Sequence, residues 1–349
     1  VGTSNMNPLH ITCSSPNASV RVVRVLLEGS ERGVESMRDV DGDTPLQTAC
    51  RCGAPSEVLE ILLRANNAMV MQRDFEGLTP LLRLWVRYFV ILGDGIDAVI
   101  ESVRGPEDLG GVLGEAWEKT ELLLKAAYHG ALDVPPGITF RAVHAAAAID
   151  CPREVLKIAI ALYPEQLNEI DENGQSALII AAKSPIYKVH DLSADGFSYE
   201  ELEQGGNSDR QDDAYHLSGE DDENDATTPT VIDIIIRNNP RLATIPDRDG
   251  RLPLNVALVS GKCWNQGVKD IFHAYPDSIN HPDVISNTFP FMLAAIDGNS
   301  SLNTVFELMR QNPELLNSAL LVQRKRTITV ISDQDFYSID KAPKRTKFL

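Results

Sequence analysis

Residues 39–49 read Asp39-Val40-Asp41-Gly42-Asp43-Thr44-Pro45-Leu46-Gln47-Thr48-Ala49, and the chain returns to that phrase. Its opening recurs as Asp74-Phe75-Glu76-Gly77, Asp171-Glu172-Asn173-Gly174 and Asp247-Arg248-Asp249-Gly250. After two intervening residues each Gly is followed by an apolar run: Pro45-Leu46-Gln47-Thr48-Ala49, Pro80-Leu81-Leu82-Arg83-Leu84, Ala177-Leu178-Ile179-Ile180-Ala181 and Pro253-Leu254-Asn255-Val256-Ala257. The phrase is turn chemistry: Asp bonds back to its own backbone, and Gly is free to take positive φ. The run after it is the start of a helix, where Pro loses nothing at the first turn and Thr caps the free N–H groups. A turn and a helix copied at a fixed period imply a stacked solenoid, in which each copy buries its apolar face against the next.

The positions that open the first helix of each copy are Pro8, Pro45, Pro80, Ala142, Ala177, Pro253 and Pro290, at intervals of 37, 35, 62, 35, 76 and 37 residues. Four intervals agree with one another, and the other two carry insertions. Ala49, Ala146, Ala181, Ala257 and Ala294 each lie four residues after the opening position. Four residues is one helical turn, so these small side chains share a face and permit close approach of the paired helix.

A second helix follows in each copy. Val58–Leu63, Val155–Ile160, Ile232–Ile236, Val268–Phe272 and Val305–Met309 carry apolar residues at helical spacing. Four of these runs meet a common stop, at Tyr163-Pro164, Asn239-Pro240, Tyr275-Pro276 and Asn312-Pro313. The Pro ring clashes with a preceding helical turn and ends it. Asp171, Asp247 and Asp283 each follow the corresponding Pro by seven residues.

The phrases Asn7-Pro8-Leu9-His10, Thr44-Pro45-Leu46-Gln47 and Thr79-Pro80-Leu81-Leu82 resemble the Thr-Pro-Leu-His motif of ankyrin repeats, and Val143-His144-Ala145-Ala146 keeps its second half. Arg141-Ala142, Ser176-Ala177 and Leu252-Pro253 depart from the Thr-Pro pair, and the His is kept at His10 and His144. The resemblance spans residues 5 to about 317 outside the insertions. It implies an all-α, ankyrin-type solenoid of about seven helical hairpins joined by short β-hairpin turns. It further implies that His10 and His144 bond to neighbouring turns rather than act as bases.

The two insertions differ in kind. In the third copy, Leu81–Leu92 is a long apolar run with Trp85, Tyr88 and Phe89, followed by Gly105, Gly110, Gly111 and Gly114. We expect residues 93–114 to form a partly helical excursion that rejoins the stack at a second helix from Trp117 to Tyr128, with the aromatics as packing. In the fifth copy, residues 191–225 hold 13 acidic residues and one Arg. Such a segment cannot offset its ordering entropy, so 190–228 is expected to be a disordered acidic insertion, and Ser218 lies there in an acid-directed kinase context. Residues 318–349, with Arg324, Lys325, Arg326, Lys341, Lys344, Arg345 and Lys347, form a mildly basic tail expected to be unstructured. Thr327 to Ile331 alternates within it like a brief strand.

The formal charge of −18 argues against nucleic acid as a ligand. No run of 18 apolar residues is present, so no membrane helix is expected. The five cysteines are odd in number and scattered, which fits reduced thiols and a cytoplasmic, or nuclear, protein. The chain opens at Val1 without a secretory leader, which leaves room for a fragment of something longer. Phosphate-binding Gly motifs and the Gly-x-Ser-x-Gly elbow are missing. Cys50-x-Cys52 lacks the gap of a zinc or redox pair. Asp39-x-Asp41-x-Asp43 opens like a calcium loop but fails at Thr44 and Cys50. Neither catalysis, cofactor nor metal is therefore expected.

What remains is a surface. The ankyrin resemblance implies that turn tips and first helices line a concave face that grips proteins. By register the candidate residues are Val40, Asp41, Asp43 and Arg51 in the second copy, and Phe75, Glu76, Leu78 and Arg87 in the third. The fifth copy adds Glu172, Asn173, Gln175 and Lys183, and the sixth Arg248, Asp249 and Arg251. Phe75 and the arginines are the expected anchors, since aromatic and Arg side chains dominate interface energetics. The expectation is a monomeric, non-enzymatic scaffold for a protein partner. Two alternatives stand beside it: the targeting module of a larger kinase or ubiquitin ligase, and a nuclear regulator whose acidic loop binds basic proteins.

Overall fold

A computed structural model describes residues 5–30, 33–93, 96–133, 136–185, 229–296 and 302–314. The acidic insertion, with Ser218, and the basic tail, with its alternating stretch, lie outside the described residues. Among those described there are 15 α-helices and no strand. They form seven pairs: α1 (Pro8–Cys13) with α2 (Val20–Gly29), α3 (Pro45–Cys52) with α4 (Ser56–Ala65), and α5 (Pro80–Leu92) with α7 (Gly111–His129), α6 (Ile96–Ser102) lying between the last two. Then come α8 (Ala142–Ala148) with α9 (Arg153–Leu162), α10 (Ala177–Lys183) with α11 (Val231–Asn238), α12 (Pro253–Val259) with α13 (Val268–Ala274), and α14 (Pro290–Ile296) with α15 (Leu302–Gln311).

The helix starts obey local chemistry. The side chains of Asn7, Thr44, Thr79, Ser176 and Thr230 each accept a backbone N–H of the first turn. Asn7 with His10 and Thr44 with Gln47 close full capping boxes. The stops are equally local. Helices α9, α11 and α13 end one residue before the Tyr or Asn of the Tyr/Asn-Pro pair, and the Pro then opens a 3-10 turn, at Pro164–Asn168, Pro240–Thr244 and Pro276–Asn280. The second copy makes the same turn, Asn67–Met71, without Pro; Asn66 Oδ1 caps it by accepting Ala68 N–H at 3.1 Å.

The expected β-hairpins are reduced to a single rung. Asp39 N–H donates to Asp43 O, Asp74 N–H to Leu78 O, Asp171 N–H to Gln175 O and Asp247 N–H to Arg251 O, at 2.9–3.1 Å. One isolated bridge, between Ile170 and Ser176, accompanies them among the described residues. Asp supplies the remaining turn bonds from its side chain, so the backbone has no need of a longer ladder.

The first helices stack in two rows, α1–α3–α5 and α8–α10–α12–α14. The alanines one turn into these helices are buried, Ala49, Ala146 and Ala257 completely. Between the two rows the stack steps sideways. Helix α8 rests chiefly on α7, the second helix of the third pair, and α9 packs on α6. The excursion thus forms the surface on which the fourth pair sits, burying Ile96, Ile100 and Val103 and placing Asp97 Oδ1 2.7 Å from Lys157 Nζ.

Helix α7 begins at Gly111, not Trp117, so it takes in the last residues assigned to the excursion. Gly114 permits this, because a Cβ there would lie 3.1 Å from Leu109 O. The aromatics of α5 pack as expected: Trp85 Nε1 donates to Thr120 Oγ1 at 3.0 Å and Tyr88 Oη to Glu115 Oε1 at 3.1 Å. Lys119 is buried beside them, donating to Gly53 O at 3.2 Å and pairing with Glu115 at 2.6 Å. A single apolar cluster runs from Leu9 to Leu308.

Candidate protein-binding ridge

Each turn is built by its Asp. Asp39 Oδ1 accepts the N–H of Asp41 and of Asp43; Asp74 Oδ1 accepts Glu76 and Leu78; Asp171 Oδ1 accepts Asn173 and Gln175; Asp247 Oδ1 accepts Asp249 and Arg251. The last turn, placed by the seven-residue spacing from Pro276 to Asp283, lacks the Gly. Asp283 Oδ2 accepts Ser286 N–H at 2.8 Å, and Asn287 takes the positive φ of 52°.

The tips interlock. The residue after each Asp lies over the Gly of the preceding turn: Phe75 over Gly42, Arg248 over Gly174 and Val284 near Gly250. Phe75 N–H also donates to Asp41 O at 3.3 Å. A second ladder runs beneath. His10 Nε2 lies 2.9 Å from Asp43 O, and His144 faces the backbone of Gln175 and Glu169. Gln47 holds the same register, and its Nε2 donates to Leu78 O at 3.1 Å and Gln72 O at 3.2 Å. His10 and Gln47 can share this register because each offers an N–H to a carbonyl of the adjoining turn. Burial holds both imidazoles below their usual range.

The candidate residues divide by exposure. Val40, Asp41, Phe75, Glu76, Glu172, Asn173, Lys183, Arg248 and Asp249 are exposed; Arg51, Arg87, Gln175 and Arg251 are half-buried. Asp43 and Leu78 are buried, which corrects their placement on the surface. Both follow the turn Gly, and there the neighbouring copy covers the side chain, as Arg83 does for Asp43. The step at the third pair also divides the set. Val40, Asp41, Arg51, Phe75, Glu76 and Arg87 belong to the first row of turns and helices. Glu172, Asn173, Gln175, Lys183, Arg248, Asp249 and Arg251 belong to the second.

Several of the basic candidates hold the structure together. Arg51 Nη2 lies 3.0 Å from Asp43 Oδ2 and its Nη1 3.5 Å from Asp41. Lys183 Nζ is 3.2 Å from the buried Asp247. Arg251 grips Asp283 with two bonds, 2.8 and 3.0 Å. The Arg87 guanidinium lies across Gly53. Burial opposes charge on Asp283, yet the bonds from Arg251 and Ser286 bring its carboxyl down to about 2. The hydrogen bond from Arg141 leads the effects that hold Glu172 at about 2.

Arg83 is the residue that the reading by register missed. It is buried in α5, with Nε 2.5 Å from Asp74 Oδ2 and Nη1 3.0 Å from Glu76 Oε2. The signal was a lone Arg inside the apolar run Pro80-Leu81-Leu82-Arg83-Leu84.

The first copies match a known repeat family. Residues 2–81 match the ankyrin-repeat family, in three copies. These first copies are ankyrin repeats. The match stops at the start of α5, and the later pairs repeat the same turns, caps and alanines. Ankyrin repeats are in general modules for binding other proteins and are typically not catalytic. No curated protein shows significant similarity to the chain. Among solved structures, a chain of the Bd0816 predatory endopeptidase from Bdellovibrio bacteriovorus in complex with immunity protein Bd3460 is 17% identical, with a TM-score of 0.28 over 77% of this chain and 98% of that one. The ankyrin repeat domain of Bcl-3, a member of the IkappaB protein family, is 16% identical, with a TM-score of 0.31 over 88% and 99%. The assignment rests on the matched repeats and the turn geometry.

Proposed function

We propose that this chain is a non-enzymatic adaptor that holds a protein partner on the tips and first helices of its ankyrin stack. The observation that carries the reading is Phe75. Its backbone is fixed by Asp41, its ring is seated on Gly42, and 69% of the residue remains exposed beside Val40, itself 51% exposed. A rigid aromatic that loses little freedom on contact is what a binding anchor requires. Covering it fully is worth roughly 2 kcal/mol.

The polar groups of the ridge support a binding role over a catalytic one, because most are consumed in turn bonds and internal ion pairs. The described cysteines are all free thiols, which favours a reducing compartment such as the cytoplasm. The chain is proposed to act as a monomer.

The test is affinity capture with paired variants. Val40→Ser with Phe75→Ala should lose at least one protein that the parent retains. Glu57→Ala with Glu118→Ala, on the second helices, should retain it. Identical recoveries for both pairs would overturn the reading.

A further inference from the structure

Three carboxylates meet two guanidiniums inside the second and third repeats. Asp39, Asp43 and Asp74 are buried, and so is Arg83, while Arg51 reaches in from the last turn of α3. Asp39 and Asp74 accept hydrogen bonds, although Asp39 Oδ2 has no partner. Asp39 Oδ1 accepts two backbone N–H groups; Asp74 accepts two more and the Arg83 Nε. The Asp43 carboxyl accepts none. Neither of its oxygens has an aligned hydrogen-bond donor, although Arg51 Nη2 stands at 3.0 Å and Arg83 Nε at 3.8 Å. The other charged or titratable groups facing it are His10 of α1, whose Nε2 lies on the Asp43 carbonyl, and Cys50 and Cys52 of α3, the second of which also touches Arg51. Glu76 draws Arg83 outward. The cluster therefore carries one negative charge more than its cations neutralise.

We propose that Asp43 is a proton-operated latch on Arg51: ionised, it holds the guanidinium against the core, and protonated, it releases it toward the ridge. The proton comes from solvent and resides on the Asp43 carboxyl, which then forms no ion pair. Arg51 keeps Asp41 as its neighbour, 3.5 Å away at the exposed tip next to Val40. The inner face of the second repeat so gains positive character under mildly acidic conditions. Burial pushes the Asp43 carboxyl up to about 6, against the pull of Arg51 and Arg83, which puts the change within the range of cellular compartments. The effect on a partner rests on the docking face proposed above; the latch itself does not.

The test needs no partner. Side-chain carboxyl resonances of the full chain, labelled with 13C at aspartate, are followed by NMR from pH 7.5 to 3, and Asp43 is assigned by its loss in Asp43→Asn. One resonance should titrate about two pH units above an ordinary aspartate. The Arg51 Nε–H signal should broaden through the same midpoint as its guanidinium is freed. In Arg51→Gln the midpoint should move upward, a readout that also makes the assignment if Asp43→Asn does not fold. A midpoint at or below 4, an Arg51 signal unchanged across it, or no movement in Arg51→Gln would each overturn the latch.

Discussion

Phe75 closes the turn that precedes its own: its ring covers Gly42 so tightly that a Cβ there would lie 2.7 Å from Cγ and 2.9 Å from the Phe75 backbone nitrogen. Gly42 also holds φ at +79°. Gly77 holds φ at +81° with nothing within 4 Å. The pair separates two costs. Gly77→Ala should lose about 1 kcal/mol for the left-handed backbone alone. Gly42→Ala should lose on the order of 2–4 kcal/mol, because the ring and the neighbouring strand of backbone must shift as well. Urea unfolding of the two variants checks this, and equal losses would refute the interlock.

Arg83 should be the least replaceable side chain of the first three repeats. Its removal leaves Asp74 and Asp43 buried without their shared cation. Arg83→Met is expected to cost about 3–5 kcal/mol, the range for breaking a buried ion pair from one side. Thermal denaturation should show the loss. A variant as stable as the parent would contradict this.

The stability difference between the parent and Asp43→Asn should move in the parent's favour as pH falls from 7 to 5, since the buried His10 and His144, held below their usual range, pull the other way in both. The folded carboxyl of Asp43 lies at about 6, above its value of 3.8 when unfolded, so the folded state binds the proton more tightly. The stabilisation is complete below the unfolded value and is lost as pH rises through 6. Its full size is up to about 3 kcal/mol for a shift of this magnitude. Asp43→Asn should flatten this part of the profile and be more stable than the parent at pH 7. Urea midpoints of both at pH 7 and 5 decide it; a difference that does not move toward the parent at pH 5 would contradict the account.

Lys262 should be a liability. It is buried, burial brings its amine down to about 8, and its Nζ donates to Ser184 O at 2.9 Å. At neutral pH the amine still carries its charge, so the folded state bears the cost of burying it. Lys262→Met keeps the stem and removes the charge, and it should gain on the order of 1–2 kcal/mol at pH 7. A loss of similar size, measured by urea unfolding, would show that the bond to Ser184 outweighs the burial of charge.

The parts of the fold that the sequence announces are those decided within one helical turn. Thr44, Thr79 and Ser176 cap, Pro164, Pro240 and Pro276 stop, and Asp39 and Asp171 build turns, all through contacts at most four residues away. The step between α5 and α8 was hidden, since it depends on which face of α7 meets α8 across a long connection. The inward turn of Asp43 and Leu78 was hidden too, because burial there is set by the neighbouring copy. Arg51, Lys183 and Arg251 looked like free cations for the same reason: their partners Asp43, Asp247 and Asp283 do not read as buried carboxylates in one dimension. Phe75 was legible as an exposed tip because the turn phrase alone fixes its direction.

Site-specific photo-cross-linking tests the binding ridge most directly. A benzophenone side chain is placed at position 75 or 40 on the tips, and at 57 or 118 on the second helices, in the full chain within cells. The tip positions should each yield a discrete adduct with the same protein, and positions 57 and 118 should not. Adducts from the second helices alone, or none at the tips, would contradict the assignment of the ridge as the surface that meets the partner.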